Sequence, residues 1–112
     1  MATNPQERLF AIYDAYSKAY DRRPQDWKDA KTNAQAHAVF NNVQRLERLY
    51  LRAAKQALDA NSAAVEAAYD AATKAQQEID DAYQDAKALA DKIRLVGSVI
   101  GKLGDLITKA AS

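Results

Sequence analysis

The chain has 112 residues, of which 16 are basic and 15 acidic, so its formal net charge at neutral pH is +1. This near balance argues against a general attraction to nucleic acid or to an anionic membrane, because such binders usually carry a clear basic excess. Cysteine is absent, which excludes disulfides and thiolate metal sites. With only three glycines and two prolines, we expect a single domain over residues 1–112 that contains few, long helices.

A first helix is predicted over residues 5–20. Asn4 suits the N-cap and Pro5 the first helical position, while the side chain of Glu7 can reach back to the cap. We expect the helix to end before Pro24, because the residue that precedes a proline avoids the helical region. The apolar face of this helix consists of Leu9, Ile12, Tyr13, Tyr16 and Tyr20.

A second helix is predicted from about residue 24 to residue 60, since neither glycine nor a further proline interrupts this stretch. Asn61 or Ser62 would cap the next helix, and so short a connection predicts an antiparallel hairpin. Basic side chains of the second helix would then meet acidic ones of the third and set the register of the hairpin. The predicted ion pairs are Arg45–Glu78, Arg52–Asp70 and Lys55–Glu66.

The third predicted helix, from about residue 62 to residue 96, follows a seven-residue repeat. One core row is Val65, Ala72, Ile79, Ala86, Ile93, Ile100 and Ile107, and the other is Ala68, Ala75, Ala82, Leu89, Val96 and Leu103. Spacings of three and four residues predict a coiled-coil-like seam between helices. Two interpretations of its end remain open: the helix breaks near Gly97 and a short fourth helix covers 98–110, or it continues without interruption.

The predicted fold is therefore all-α: an antiparallel hairpin of two long helices with a short N-terminal helix, in a bundle of three or four helices. Its C-terminal segment is the candidate binding surface. The apolar stripe widens there, and three glycines would let another backbone approach closely. The first helix could cover this stripe instead. The predicted interface consists of Ile93, Val96, Gly97, Val99, Ile100, Gly101, Leu103, Gly104, Leu106 and Ile107.

No catalytic arrangement is evident in the sequence. His37 is the only histidine, and the chain has neither the Glu-x-x-His pairs of helical di-metal sites nor a glycine-rich phosphate loop. A Ser-His-Asp arrangement is also missing. We therefore expect no enzyme activity, no catalytic residue, no cofactor and no metal site.

The expected function is a non-enzymatic module for protein–protein interaction or assembly, which binds another protein or a second copy of itself. The alternative is a secreted or membrane-surface-associating helical protein that docks through residues 96–110. Nucleic-acid binding by Arg45, Arg48 and Arg52 is a less favoured class. The N-terminus lacks a signal-peptide pattern and no apolar stretch could span a membrane, so we expect a cytoplasmic protein, with signal-independent secretion left open.

Overall fold

A computed structural model describes residues 2–111, which form five α-helices and no strand. The predicted all-α class is thereby confirmed. Met1 and Ser112, the two ends of the predicted domain, lie outside the described residues. The helices are α1 (Pro5–Asp21), α2 (Arg23–Asp29), α3 (Asn33–Ala54), α4 (Ala63–Gln84) and α5 (Leu89–Ala110).

The start of α1 is the one predicted from its cap. The side chain of Asn4 accepts a hydrogen bond from the backbone N–H of Glu7 at 2.8 Å, and the Glu7 carboxylate accepts one from the backbone N–H of Asn4 at 3.2 Å. This reciprocal capping box satisfies two N–H groups that the helix itself leaves without a partner. Pro5 occupies the first turn, where no N–H is needed.

The four long helices form a bundle in which each helix has two neighbours. The closest packing is between α4 and α5, followed by α1 with α3 and α3 with α5, while α1 also runs beside α4. Lys18 of α1 bonds Asp80 of α4, whereas Thr3, just before α1, bonds Glu66 near the start of α4, so these two helices are parallel. The four long helices α1, α3, α4 and α5 thus alternate in direction. The helices α3 and α4, although consecutive in the chain, lie at diagonally opposite corners of the bundle and are not packed side by side.

The core lies between the two antiparallel pairs, α1–α3 and α4–α5. Alanines line much of the inner face of α4, and their small side chains let α5 approach closely. Larger side chains from all four long helices fill the remaining space. The largest aliphatic side chains that are fully buried are Ile12, Leu46, Val65, Val99, Leu103, Leu106 and Ile107.

The predicted continuous helix over residues 24–60 is wrong, because residues 30–32 are not helical and separate α2 from α3, which ends at Ala54. Thr32 caps α3 by accepting a hydrogen bond from the backbone N–H of Gln35 at 3.1 Å. The Gln35 side chain in turn accepts the backbone N–H of Lys31 at 2.8 Å. These local bonds stabilise a new helix start where no glycine or proline marks a break.

The predicted hairpin between the second and third helices is also wrong, although Ser62 does cap the helix that follows. Because α3 and α4 lie on a diagonal, the connection over residues 55–62 crosses one end of the bundle. The three predicted ion pairs require α3 and α4 to lie side by side, and none of them forms among the described residues. Glu66 pairs with Arg8 instead.

Neither interpretation of Gly97 matches the structure, since this residue lies inside α5 and the break comes earlier, at residues 85–88. Ala86 adopts a left-handed conformation with φ 53°. The backbone N–H of Lys87 donates to Ala82 O at 2.9 Å, and that of Ala86 to Tyr83 O at 3.3 Å. This is a Schellman motif, in which the left-handed position usually belongs to glycine. Ala86, predicted in a core row, is accordingly exposed.

Candidate functional site

The apolar side chains of the predicted interface lie inside the bundle, where they pack against other helices of the same chain. Ile93 is half-buried. Gly101 is exposed, and Gly97 and Gly104 are half-buried, so only the glycine edge of this segment is open to a partner. The buried members are Val96, Val99, Ile100, Leu103, Leu106 and Ile107.

Packing within the chain does not require the three glycines. A Cβ atom at Gly97 or Gly101 would have no neighbour within 4 Å, and one at Gly104 would touch only the Leu49 Cδ2, at 4.0 Å. Each glycine inside a helix nevertheless costs about 1 kcal/mol relative to alanine. The glycines therefore lower the stability of α5 without allowing a close contact inside the described chain.

The exposed large hydrophobic side chains all come from α1, α2 and α3, and none of those described comes from α4 or α5. Tyr13 and Tyr20 lie two turns apart on α1. Leu51 directly follows Tyr50 on α3, and Phe40 lies three turns before Leu51, on the same side of that helix. We call the exposed large hydrophobic side chains of α1, α2 and α3, together with the half-buried Tyr16 and Tyr50 that their rings contact, the aromatic face. Its members are Phe10, Tyr13, Tyr16, Tyr20, Trp27, Phe40, Tyr50 and Leu51.

Ring contacts join α1 and α3 across the aromatic face. The centroid of the Tyr50 ring lies 5.3 Å from that of Tyr13 and 6.0 Å from that of Tyr16, and the rings of Tyr16 and Tyr50 are stacked with nearly parallel planes, at 12°. Tyr20 meets Tyr16 edge-on at 6.1 Å. Six members of the face nevertheless keep 41–63 % of their surface exposed. The rings thus pack on each other while leaving a broad apolar surface in water.

Two charged side chains are held within the aromatic face. The Arg23 guanidinium stacks over the ring of Tyr20 at 3.4 Å and lies 5.5 Å from that of Trp27. On the other helix, Glu47 accepts a hydrogen bond from the Tyr16 hydroxyl at 3.1 Å. Burial raises the pKa of Tyr16, and this hydrogen bond raises it further, so the hydroxyl remains a donor. The face therefore has one positive and one negative group.

A buried polar cluster lies where α2 meets α4 and α5. The Tyr83 hydroxyl donates to Asp26 Oδ2 at 2.5 Å, while Asp26 Oδ1 is buried and accepts no hydrogen bond from the described residues. The Tyr83 ring has two cations over it, the Arg22 guanidinium at 4.1 Å and the Lys92 ammonium at 4.3 Å. Asp26 is thus buried, although the helix that carries it, α2, has only seven residues.

Burial raises the pKa of Asp26 above its ordinary value, against the lowering effects of the Tyr83 hydrogen bond and of Lys92 and Arg22. The pKa of Tyr83 is raised by burial and by its bond to Asp26. The adjoining cavity measures about 20 Å³ and is lined mostly by aliphatic side chains. It has room for one water-sized molecule, which is too little for an organic substrate or cofactor.

A second buried polar group joins α1 to the connection over residues 55–62, which we call the diagonal connection because it leads from α3 to the diagonally opposite α4. The Arg8 side chain is fully buried and forms an ion pair of 3.1 Å with Glu66. The backbone N–H of Ala60 donates to Ala110 O at 3.0 Å, which fixes the same connection to the end of α5. Sequence reasoning overlooked Arg8, although it continues the apolar stripe of Ile12. Its hydrogen-bond acceptors, at 2.7–3.2 Å, are Thr3 O and Oγ1, Leu58 O, Ala60 O, Asn61 Oδ1 and Glu66 Oε2.

Two helices carry exposed stripes of opposite charge. On α3 we define the basic stripe as Arg45, Arg48 and Arg52. At the end of α4 we define the acidic stripe as Glu78, Asp81 and Asp85, the last of which is the C-cap of that helix. All six residues are exposed. No ion pair among the described residues involves either stripe. The acids of α4 that are paired, Glu66 with Arg8 and Asp80 with Lys18 and Arg22, lie on the side of α4 that faces α1.

His37 is exposed on α3. Residues 2–111 contain no group of three or more histidine, aspartate or glutamate side chains that could hold a metal ion. Over the same residues, no helix is both long and apolar enough to cross a membrane. No protein-family model matches the chain, and no curated protein or solved structure matches it.

Proposed function

We propose that this chain is a non-enzymatic helical assembly module, which pairs with a second copy of itself through the aromatic face. One observation carries the proposal: every exposed large hydrophobic side chain of residues 2–111 belongs to α1, α2 or α3. Large apolar patches are uncommon on monomers and usually mark a binding surface. Tyrosine and tryptophan, which make up five of the eight members of this face, are also among the residues that contribute most to binding energy at interfaces.

The layering of the bundle supports the same proposal. The α1–α3 pair buries one side against α4 and α5, and its outer side carries the aromatic face, so this pair has large apolar side chains on both sides. An element with two apolar sides belongs in the middle of a stack rather than at its surface. A further layer of helices over the aromatic face would complete such a stack.

A second copy suits this face because the face is electrically balanced. Symmetric pairing brings the same patch of both copies together, so a patch with net charge would repel itself. Here Arg23, stacked on Tyr20, and Glu47, bonded to Tyr16, supply one charge of each sign. The predicted interface over residues 93–107 and the alternative of membrane docking through 96–110 find less support, since their apolar side chains are buried.

The experiment is a measurement of solution mass across a hundredfold dilution at about 300 mM salt, where exposed charges are screened. The chain is expected to change from dimer to monomer over this range. The double variant Phe10→Glu/Leu51→Glu should be a folded monomer throughout, because both positions are exposed and lie outside the core. The matched control, Ala67→Glu/Ala90→Glu, places the same charges on exposed positions of α4 and α5 and should still dimerise.

A chain that stays monomeric at every concentration would overturn self-pairing. If Phe10→Glu/Leu51→Glu still dimerised, the aromatic face would not be the interface and another surface would have to be. If the glycine edge were that interface, Gly97→Leu/Gly101→Leu would dissociate the dimer.

A further inference from the structure

We infer a second contact between copies, in which the basic stripe on α3 of one copy docks on the acidic stripe on α4 of another. This contact goes beyond the proposed function, because it uses neither the aromatic face nor any residue of α1. It would also link more than two copies, because each molecule presents both stripes.

The charges of the two stripes are available because the fold keeps them apart. Arg45, Arg48 and Arg52 are exposed and belong to no ion pair of the described chain. The same holds for the three acids, of which Asp81 accepts only the side-chain amide of Gln77, at 2.9 Å. Since α3 and α4 lie on a diagonal, no arginine of the stripe can reach an acid of the other stripe in the same molecule.

The two stripes match in spacing as well as in charge. The arginines are separated by three and then four residues, and so are Glu78, Asp81 and Asp85. Both stripes therefore follow one side of a helix over about 10 Å. When an α3 lies parallel to an α4 of another copy, three opposite charges meet at the same time. Charge complementarity of this kind selects the partner and its register.

Such a contact is heterologous, because it joins two different surfaces and leaves one stripe of each outer molecule unoccupied. Heterologous contacts that do not close into a ring produce open assemblies. The stripes are exposed, so their attraction depends on ionic strength and extends over roughly 10 Å at 0.1 M salt. We therefore expect the second contact at low salt only, whereas pairing through apolar side chains would survive high salt.

The test compares solution mass at about 20 mM and about 300 mM salt for the full chain and two charge-reversal variants. One variant is Arg45→Glu/Arg48→Glu/Arg52→Glu, and the other is Glu78→Lys/Asp81→Lys/Asp85→Lys. At low salt the native chain should at least double its high-salt mass, while each variant alone keeps its high-salt mass. An equimolar mixture of the two should associate again, because the reversed stripes complement each other. Arg45→Lys/Arg48→Lys/Arg52→Lys is the matched control and should assemble like the native chain.

Failure of the mixture to associate, or a native chain whose mass does not depend on salt, would overturn the inference. Mass at high salt tests the aromatic face separately, so the two proposals can fail independently. A 20-base-pair DNA duplex at low salt distinguishes the other class of partner. If the arginine variant loses binding to this duplex while the mixture stays unassociated, the basic stripe binds nucleic acid and the inference is wrong.

Discussion

The guanidinium of Arg8 lies 3.1 Å from the carboxylate of Glu66, and this ion pair joins the first turn of α1 to the first turn of α4. The arginine is fully buried, whereas the Glu66 side chain keeps 29 % of its surface in contact with water. A buried guanidinium is stable only when its N–H groups are matched by acceptors. Here backbone carbonyls of the diagonal connection supply several of them.

Replacement of this arginine should destabilise the chain strongly. Arg8→Met keeps much of the side-chain volume but leaves the carbonyls of Leu58 and Ala60 without their donor, so the free energy of unfolding should fall by about 3–5 kcal/mol. Urea unfolding followed by circular dichroism would measure the loss. Arg48→Met is the matched control on an exposed position and should change stability by less than about 0.5 kcal/mol. Equal losses in the two variants would contradict the role of the buried network.

The buried carboxyl group of Asp26 should make stability depend on pH in an identifiable way. Its folded pKa is raised, so at a pH between the unfolded and the folded pKa the folded chain binds a proton that the unfolded chain has released. The stability contributed by this group is complete below its unfolded pKa of about 4 and is lost as pH rises through the folded value. Asp26→Asn should remove this dependence, so the variant gains stability relative to the native chain as pH rises.

The measurement is a series of urea unfolding curves between pH 4 and pH 7 for both proteins. Asp80 acts in the opposite sense: burial raises its pKa, but hydrogen bonds from Lys18, Arg22 and Gln76 outweigh this and lower it. Its contribution is therefore lost as pH falls, in the native chain and in the variant alike, and it cancels in the difference. A difference between the two proteins that stays constant with pH would contradict the prediction.

Replacement of Ala86 by glycine should stabilise the turn between α4 and α5. Ala86 has φ 53°, a conformation that costs an L-residue with a Cβ about 1–2 kcal/mol and costs glycine nothing. Part of this gain is lost to the greater freedom of glycine in the unfolded chain, so we expect a net increase of about 0.5–1 kcal/mol. Ala88→Gly, in the same turn but with φ −62°, should destabilise the chain. Thermal unfolding of the two variants would separate them.

Alanine at Gly101 should also stabilise the chain, since its Cβ would meet no atom within 4 Å. The gain expected in a helix interior is about 0.5–1 kcal/mol. Chemical denaturation would measure it, with Ala72→Gly on the buried face of α4 as the opposite change. A loss of stability in Gly101→Ala would mean that α5 needs the glycine. A gain in stability with unchanged dimerisation would argue against the glycine edge as an interface.

The parts of the fold that could be predicted are those whose causes are local in sequence. Asn4, Pro5 and Glu7 specify the start of α1 within a few residues, and Ser62 caps α4 in the same way. The break at Thr32 also has a local signal in the sequence, the glutamine three residues later, whose backbone N–H donates to the Thr32 side chain. The all-α class follows from the heptad spacing, which continues on both sides of the actual break.

The remaining features depend on contacts that are distant in sequence. The left-handed residue at the end of a helix is usually glycine, so an alanine at position 86 did not indicate a turn. The acceptors of Arg8 lie 50 or more residues away or in the preceding turn, so nothing nearby marks it as buried. The aromatic face was missed because it depends on ring contacts of Tyr13 and Tyr16 on α1 with Tyr50 on α3, which is distant from them in sequence.

The diagonal connection over residues 55–62 also has a kinetic consequence. It divides the chain into two halves, α1–α3 and α4–α5. The helices that pair within each half are close in sequence, so the loop-closure entropy lost when they pair is small. The bonds of Arg8 join the halves and should form after both of them. In stopped-flow experiments, Arg8→Met is therefore expected to accelerate unfolding and leave the refolding rate almost unchanged. Arg8 would then slow the separation of the two halves of the bundle after each has folded.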